Sequence, residues 1–417
     1  MLDRGQTGEF QIAVLSSAGG GGGGIAAHRV ASALEKMDGV SAKFLTGEGL
    51  GGFLPSEVAP QKSMSNRKLT DTHYTVEYPG YRRDWLIEYL SRFDIVNVHW
   101  ASYLLSLGEL DALSRRGTRM LFTLHDFHYI TGGCHYPAGC TGMNTGCFNC
   151  QQVDSDLCDS KFIPINLRIK QGIFARSNVH LSAPSQYLRD MAVATGIIPA
   201  ERAHVLRNPY LPLDPEITRV RDGTTRILLV ADSLTERRKA MPLALDSLAE
   251  LQRRIGAGDG TGPIMVDIVG QADDALLERL KNSQVPYQLH GRITDHARLV
   301  DIFALNDIVL SCSYEDNWPN ILVEAGAYGC IPVVGPGHGC EEFVKTYDSG
   351  AVAPAYTAGD FADTLARVAG DVTIRGVPDS GVQERICAEH HQDLISARFL
   401  EIAAQIRSGS EYARITN

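Results

Sequence analysis

The sequence predicts an α/β protein made of two doubly wound parallel-sheet domains. Three observations carry this reading. Short continuous apolar runs alternate with helical patterns along nearly all of the 417 residues. These runs fall into two series. Between the series lies "RNPYLPLDPEITRVRDGTT" (207–225), rich in Pro and charge and without an apolar period. Continuous apolar strands that alternate with helices imply parallel sheets covered on both faces.

Taken in order, the first series runs "FQIAVLS" (10–16), a second strand in "VSAKFLTGEG" (40–49), "FDIVNVHW" (93–100), "RMLFTLHD" (119–126) and "NVHLSAP" (178–184). The second runs "TRILLVAD" (225–232), "IMVDIVG" (264–270), "YQLHGR" (287–292), "DIVLSCS" (307–313) and "CIPVVGP" (330–336). Helical patterns such as "MPLALDSLAELQRRI" (241–255) and "DHARLVDIFALN" (295–306) fill the gaps. The domains expected are 1–211 and 212–390. In open α/β sheets ligands bind at the carboxyl ends of the strands, so the motifs there are the functional candidates.

Net charge is −10 with 44% hydrophobic residues, which excludes a dedicated basic nucleic-acid binder and supplies enough apolar residues for sizeable cores. No run of about twenty apolar residues occurs, and "MLDRGQTGEFQ" lacks the apolar core of a signal peptide. The expected location is therefore cytoplasmic, with the nine cysteines reduced or metal-bound rather than paired.

Six glycines, Gly19 to Gly24, follow the first strand and open a helical pattern. A phosphate-binding P-loop would end in Gly-Lys-Ser or Gly-Lys-Thr, whereas this run ends "GGGIAAH". A dinucleotide fingerprint needs an acid at the end of the second strand, where Thr46 and Gly47 stand. The remaining functional reading is a loop without side chains, Gly22, Gly23 and Gly24 above all, where a large substrate approaches the backbone at a helix N-terminus. A flexible turn is its structural alternative.

The sharper signal is "CSYEDNWPNILVEAGAYGCIPVVGPGHGCEEFV" (312–344). It leaves a strand and enters a helix near Pro319. Asn320 and Ile321 fall in the first turn, whose outward N–H groups can hold a diphosphate. Glu324, one turn on, can accept from ribose hydroxyls, and Asp316 can reach a sugar ring. The block resembles the donor site of retaining glycosyltransferases with the GT-B fold, specifically glycosyltransferase family 4, which carries two acids separated by seven residues, then a small-residue helix and a Pro-Val-Val strand. Here the first acid is Asp316 with Glu315 beside it, and either can take the sugar-facing role.

The resemblance spans almost the full chain. "ADSLTERRKAMPLALDSL" (231–248) is similar to the family's diphosphate-binding turn. Lys239 matches its Lys; the usual Arg position falls near Ser233, so Arg237 or Arg238 supplies that charge. "HGRITD" (290–295) resembles the base-contacting loop and makes Arg292 a candidate. "VHW" (98–100), "TLHD" (123–126) and "APSQYL" (183–188) match in the first domain. The resemblance implies a GT-B fold with both domains facing a central cleft, 1–211 on the acceptor side and 212–390 binding the nucleotide sugar. It also implies a final helix, about 391–417, that packs back on the first domain.

His125 matches a family histidine that contacts the donor sugar, and Asp126 beside it can orient the ring. His99 and His128 are further acceptor-side candidates. The resemblance implies retention without a protein nucleophile: the leaving diphosphate assists the incoming hydroxyl, while Lys239, a neighbouring Arg and the helix start at Asn320 stabilise its charge. No Asp-x-Asp metal motif stands out, so no cofactor is expected for catalysis.

Cys134, Cys140, Cys147 and Cys150 are spaced C-x5-C-x6-C-x2-C, which suits a structural zinc, with Cys158 and His135 as substitute ligands. Reduced or disulfide-linked cysteines are the alternative. A similar Gly-Gly-Cys-His-Tyr segment occurs in family members that build bacterial surface polysaccharides. The expected activity is thus transfer of a hexosyl or deoxyhexosyl unit from a nucleotide-diphosphate sugar to a glycan or lipid-linked acceptor. The alternatives are a GT-B-like sugar-nucleotide epimerase and a non-catalytic nucleotide-sugar-binding protein. "LRIKQGIFAR" (167–176) reads as a basic amphipathic helix for peripheral contact at the inner face of the membrane, against a merely solvated helix.

Overall fold

The computed structural model describes residues 9–54, 74–78, 80–153, 160–217, 222–258, 260–375 and 380–415. They divide into two compact units, one formed by the described residues up to Pro209 and from His390 onward, the other by Tyr210–Glu389.

In the first unit the order is β1 (Phe10–Leu15), α1 (Gly21–Leu34), β2 (Val40–Leu45), α2 (Asp84–Leu90), β3 (Ile95–Val98), α3 (Leu107–Arg115), β4 (Met120–Thr123), α4 (Phe162–Phe174), β5 (Val179–Ala183), α5 (Gln186–Ala194) and β6 (Ala203–Val205). All pairings are parallel, in the order β2-β1-β3-β4-β5-β6. Side chains alternate across the sheet: Ile12 and Val14 point to one core, Ala13 and Leu15 to the other.

The second unit holds β7 (Thr225–Ser233), α6 (Met241–Gly256), β8 (Ile264–Gln271), α7 (Asp274–Asn282), β9 (Tyr287–Gly291), α8 (His296–Leu305), β10 (Ile308–Ser311), α9 (Asn320–Ala327), β11 (Ile331–Val334), α10 (His338–Tyr347), β12 (Ala351–Val352), α11 (Ala358–Arg375) and α12 (Ser380–His390), whose last residue belongs to the first unit. Its sheet runs β12-β11-β10-β7-β8-β9, again parallel throughout. The last helix, α13 (Gln392–Ile415), lies in the first unit, where Ile395, Phe399, Ile402 and Ile406 share a core with Ile12, Val14, Ala27 and Val30.

Both sheets change winding direction once, between β1 and β3 in the first unit and between β7 and β10 in the second. Such switch points open a crevice beyond the carboxyl ends of the strands. The glycine run follows β1 there, and the segment with Arg238 and Lys239 follows β7. The last two glycines of the run are packed, while Gly19 to Gly22 are exposed. A Cβ on Gly24 would lie 2.3 Å from the Ala18 carbonyl oxygen, and one on Gly23 would meet His125 Cδ2 and Trp100 Cβ at 3.3 Å. A Cβ on Gly22 meets nothing within 4 Å. Gly24→Ala should therefore lower the melting temperature, by the equivalent of about 1–3 kcal/mol of overpacking. Gly22→Ala should leave it unchanged or raise it, as a helical alanine does. Thermal unfolding of both variants measures this; equal effects would contradict the packing.

Candidate functional site

In the second unit, the loops after β7 and β10 are joined by ion pairs. Lys239 Nζ donates to Asp316 Oδ2 at 2.6 Å, and Arg238 Nη1 donates to the same oxygen at 3.0 Å. Arg238 Nη1 also donates to the Glu315 carbonyl at 2.8 Å, and its Nε to Glu236 Oε1 at 3.0 Å. The Tyr314 amide closes the junction by donating to the Arg238 carbonyl at 2.9 Å. Burial opposes ionisation of Asp316, but Lys239 and Arg238 outweigh it and bring its pKa down to about 2.

The geometry separates the paired candidates. Asp316, rather than its neighbour Glu315, gives its carboxylate to both cations; Glu315 contributes its carbonyl. Arg238 is the buried guanidinium beside Lys239, whereas Arg237 is exposed and lines a cavity of about 350 Å³ with Thr235, Glu236, Tyr314 and Arg279. Asn320 and Ile321 open α9, whose N-cap residue is Pro319, with no capping side chain of its own, and half-buried Glu324 follows one turn later. Gly339 at the start of α10 packs on the same loop: its amide donates to the Asp316 carbonyl at 2.8 Å, and a Cβ there would sit 1.8 Å from the Asn317 oxygen. Arg292 stands apart from these contacts, paired at the surface with Asp232 at 2.8 Å. Tyr356, which the sequence reading missed, donates to the Ser313 carbonyl at 3.0 Å and the Pro336 carbonyl at 2.9 Å, clasping the loops after β10 and β11.

In the first unit the glycine run faces a group of buried histidines. His99, just past β3, and His125, just past β4, meet through Nδ1 and Nε2 at 2.8 Å. Burial above all pulls both pKa values down, that of His125 to about 4 against the opposing pull of Asp126. Both rings are therefore neutral at physiological pH. Asp126 does not take the expected part of orienting His125. Its Oδ2 lies 2.6 Å from His135 Nδ1 and its Oδ1 accepts from the His128 amide at 2.8 Å, while His99 holds the His125 ring. His135 Nε2 lies 2.9 Å from Thr75 Oγ1, and Thr75 is fully buried, so this line orders the loop rather than supplying a nucleophile. His128 is buried and stacks on His135, with ring centroids 4.7 Å apart.

Lys170 differs from the sequence reading. It is buried, and Nζ donates to the carbonyls of His128 at 2.7 Å and Thr131 at 3.1 Å, fastening α4 to the histidine loop. Burial lowers its pKa to about 8, opposed first by Glu77. Arg176 is taken up by Asp111 and Ser114. Of the segment's three cations, Arg168 stays exposed while Lys170 and Arg176 are taken up within the unit. No described helix is long and apolar enough to cross a membrane.

Cys134, Cys140, Cys147 and Cys150 carry free thiols; Cys158 lies outside the described residues. Cys147 Sγ accepts from the Gly132 amide at 3.3 Å, Cys140 Sγ from the Gly142 amide at 3.4 Å, and Cys150 Sγ lies 3.5 Å from the Tyr74 hydroxyl. We retain structural zinc, which the spacing suggests, as a proposal: among the described residues no three His, Cys, Asp or Glu already surround a common metal position, but Cys140, Cys147 and Cys150 lie close enough to act electrostatically on Cys134. Elemental analysis of the purified protein decides the point. About one zinc per chain is the outcome the spacing expects; zinc-free protein with four reactive thiols overturns it.

Residues 224–371 match the family model described as glycosyl transferases group 1. None of the curated proteins matches the chain. Similar solved structures include HepE of Anabaena in complex with UDP, at a TM-score of 0.62 and 13% identity, covering 94% of this chain and 99% of that one. A glycosyltransferase from Rickettsia africae aligns at a TM-score of 0.64 and 12% identity, covering 95% and 98%. The lipopolysaccharide outer core galactosyltransferase WaaB aligns at 0.59 and 15%, covering 94% and 98%. At these identities the likeness shows the fold, the two-domain α/β architecture of the GT-B glycosyltransferases.

The Asp316 knot predicts an acid dependence. A carboxylate whose pKa is depressed on folding stabilises the native state above its unfolded value, and that stability is lost as pH falls through the folded value. A shift from about 3.8 to about 2 corresponds to about 2 kcal/mol at neutral pH. Denaturant unfolding of the full chain should lose this component between about pH 4 and pH 2. Asp316→Asn should be less stable at pH 7 and lack that loss; parallel pH profiles for the two proteins would refute the pairing.

Proposed function

We propose that this protein is a retaining glycosyltransferase that moves a hexosyl or deoxyhexosyl unit from a nucleotide-diphosphate sugar to a glycan or lipid-linked acceptor, in the building of a bacterial surface polysaccharide. The observation that carries the reading is the joining of Arg238, Lys239 and Asp316 at the switch point of the unit whose residues match the group 1 family model. Arg238 and Lys239 are the donor-diphosphate cations, and the first turn of α9 at Asn320 and Ile321 turns its N–H groups to the same anion. Glu324 accepts from the ribose, Arg292 serves the base, and the acids Asp316 and Glu315 serve the sugar and the cations. His125 supplies a neutral imidazole to the sugar, with His99, Asp126 and His128 shaping the acceptor side. HepE, one of the similar structures, was obtained with UDP, which favours a uridine donor here.

In the reaction the bond from the anomeric carbon to the diphosphate oxygen breaks and the electron pair leaves with the diphosphate. The acceptor oxygen bonds to the same carbon on the same face. Its proton passes to the departing phosphate oxygen. Negative charge grows on the diphosphate as this happens, and fixed cations matched to that growth lower the barrier. The reading places the protein in the cytoplasm, at the inner face of the membrane when the acceptor is lipid-linked.

A thermal-shift screen of nucleotide sugars identifies the donor. With that donor, Lys239→Ala should lower kcat/KM by about two or more orders of magnitude, as expected for losing one charge at the leaving group. Glu324→Ala should weaken nucleotide binding by calorimetry through a lost charged hydrogen-bond acceptor. Near wild-type kinetics for Lys239→Ala in folded protein would defeat the assignment.

A further inference from the structure

From within β3 and β4 to just past their ends runs a chain of hydrogen bonds whose direction is fixed by valence. The Leu121 carbonyl can only accept, so the Asn97 atom 2.9 Å from it is the amide nitrogen, which also donates to Thr123 Oγ1 at 2.8 Å. The Asn97 amide oxygen is then the atom 2.7 Å from His99 Nε2. An amide oxygen only accepts, so His99 carries its proton on Nε2. With His99 neutral, its Nδ1 is a lone pair, and this lone pair lies 2.8 Å from His125 Nε2. His125 must donate there, and its own proton is on Nε2. The ring planes differ by 26° and the centroids lie 5.1 Å apart, so the two imidazoles are joined edge to edge and nearly coplanar through this one bond. Asn97 and His99 are both fully buried, whereas His125 is only partly so. The wiring therefore starts in the sheet interior and ends at the glycine run, where Gly23 leaves room for the ring.

We propose that Asn97 and His99 are positioning residues that lock His125 with its proton on Nε2, so that its other nitrogen can only accept a hydrogen bond. The fitting partner for such a nitrogen is a hydroxyl of a sugar, and a phosphate oxygen, itself an acceptor, is excluded. The choice of a sugar hydroxyl rests on the glycosyl-transfer reading; the tautomer does not. Burial, which keeps both rings neutral, is what makes the directionality hold across the physiological pH range.

Long-range proton–nitrogen NMR of the full wild-type chain tests the wiring directly. His99 and His125 should both be Nε2–H tautomers from pH 5.5 to pH 8; a His125 proton on Nδ1 overturns the proposal. In Asn97→Leu the acceptor for His99 Nε2 is gone. The protons should shift toward His99 Nδ1 and His125 Nδ1, and kcat with the donor from the screen should fall at least about tenfold, with KM moving less. Folded Asn97→Leu with unchanged tautomers overturns the positioning role. Inverted tautomers with undiminished turnover overturn the hydroxyl contact and leave the wiring standing. If no nucleotide sugar is turned over by the wild type, the glycosyl-transfer reading fails while the wild-type spectrum still decides the tautomer.

Discussion

One carboxylate oxygen, Asp316 Oδ2, sets the geometry of the second unit's site. A guanidinium and an ammonium drawn in at the carboxyl ends of two central strands carry a large desolvation cost unless an anion and further acceptors meet them. Asp316, Glu236 and the Glu315 carbonyl supply those acceptors, and in doing so they fasten the turn after β7 to the loop after β10. The two strands are neighbours only because the sheet reverses its winding between them. Topology makes the encounter possible, and the ion pairs fix its geometry to within hydrogen-bonding distance. Ala240, the residue just before α6, takes a left-handed conformation at φ 50°, the backbone turn that links the short helical turn ending at Lys239 to α6.

The first unit uses its switch point with the opposite electrostatics. There the groups past β3 and β4 are imidazoles that burial keeps uncharged, arranged so that each donor has one acceptor. Charge enters this unit's interior one layer further back, as Lys170 and Asp126, and is spent on backbone carbonyls, an amide and His135. An ionic site and a neutral, directional one are thus built on the same strand–helix grammar. The first suits an anion whose charge rises, and the second suits uncharged polar groups that must be told apart by donor and acceptor.

The strands were readable because parallel sheets bury both faces and leave continuous apolar runs. β6 and β12 escaped notice since three and two residues carry no period. The block from Cys312 to Val344 was readable because acids, helix start and following strand come in one local order. What local order cannot display is partnership across the sheet. "NVH" could have suggested that Asn97 and His99 share a face, two residues apart on a strand, yet nothing near them in sequence names Leu121 or His125 as their partners. Lys170 misled for the same reason: on a helical wheel a lysine belongs to the solvent face, and the carbonyls that draw it inward come from residues 128 and 131. The cysteine spacing suggested a tetrahedron, but spacing alone does not give the direction in which each thiol leaves the backbone; here Cys147 and Cys140 accept from nearby amides.

The docking of α13 beside α1 has a consequence for biosynthesis. Ile12, Val14, Ala27 and Val30 leave the ribosome well before Phe399, Ile402 and Ile406, which share their core. The intervening unit, Tyr210–Glu389, has both of its own cores within its own span. It can complete its packing while the first unit still has part of one sheet face, beside α1, uncovered. Vectorial synthesis therefore reverses the usual order in which domains are finished, N-terminal first. During that interval the apolar face of β1 and α1 is the part of the nascent chain that a chaperone has reason to hold.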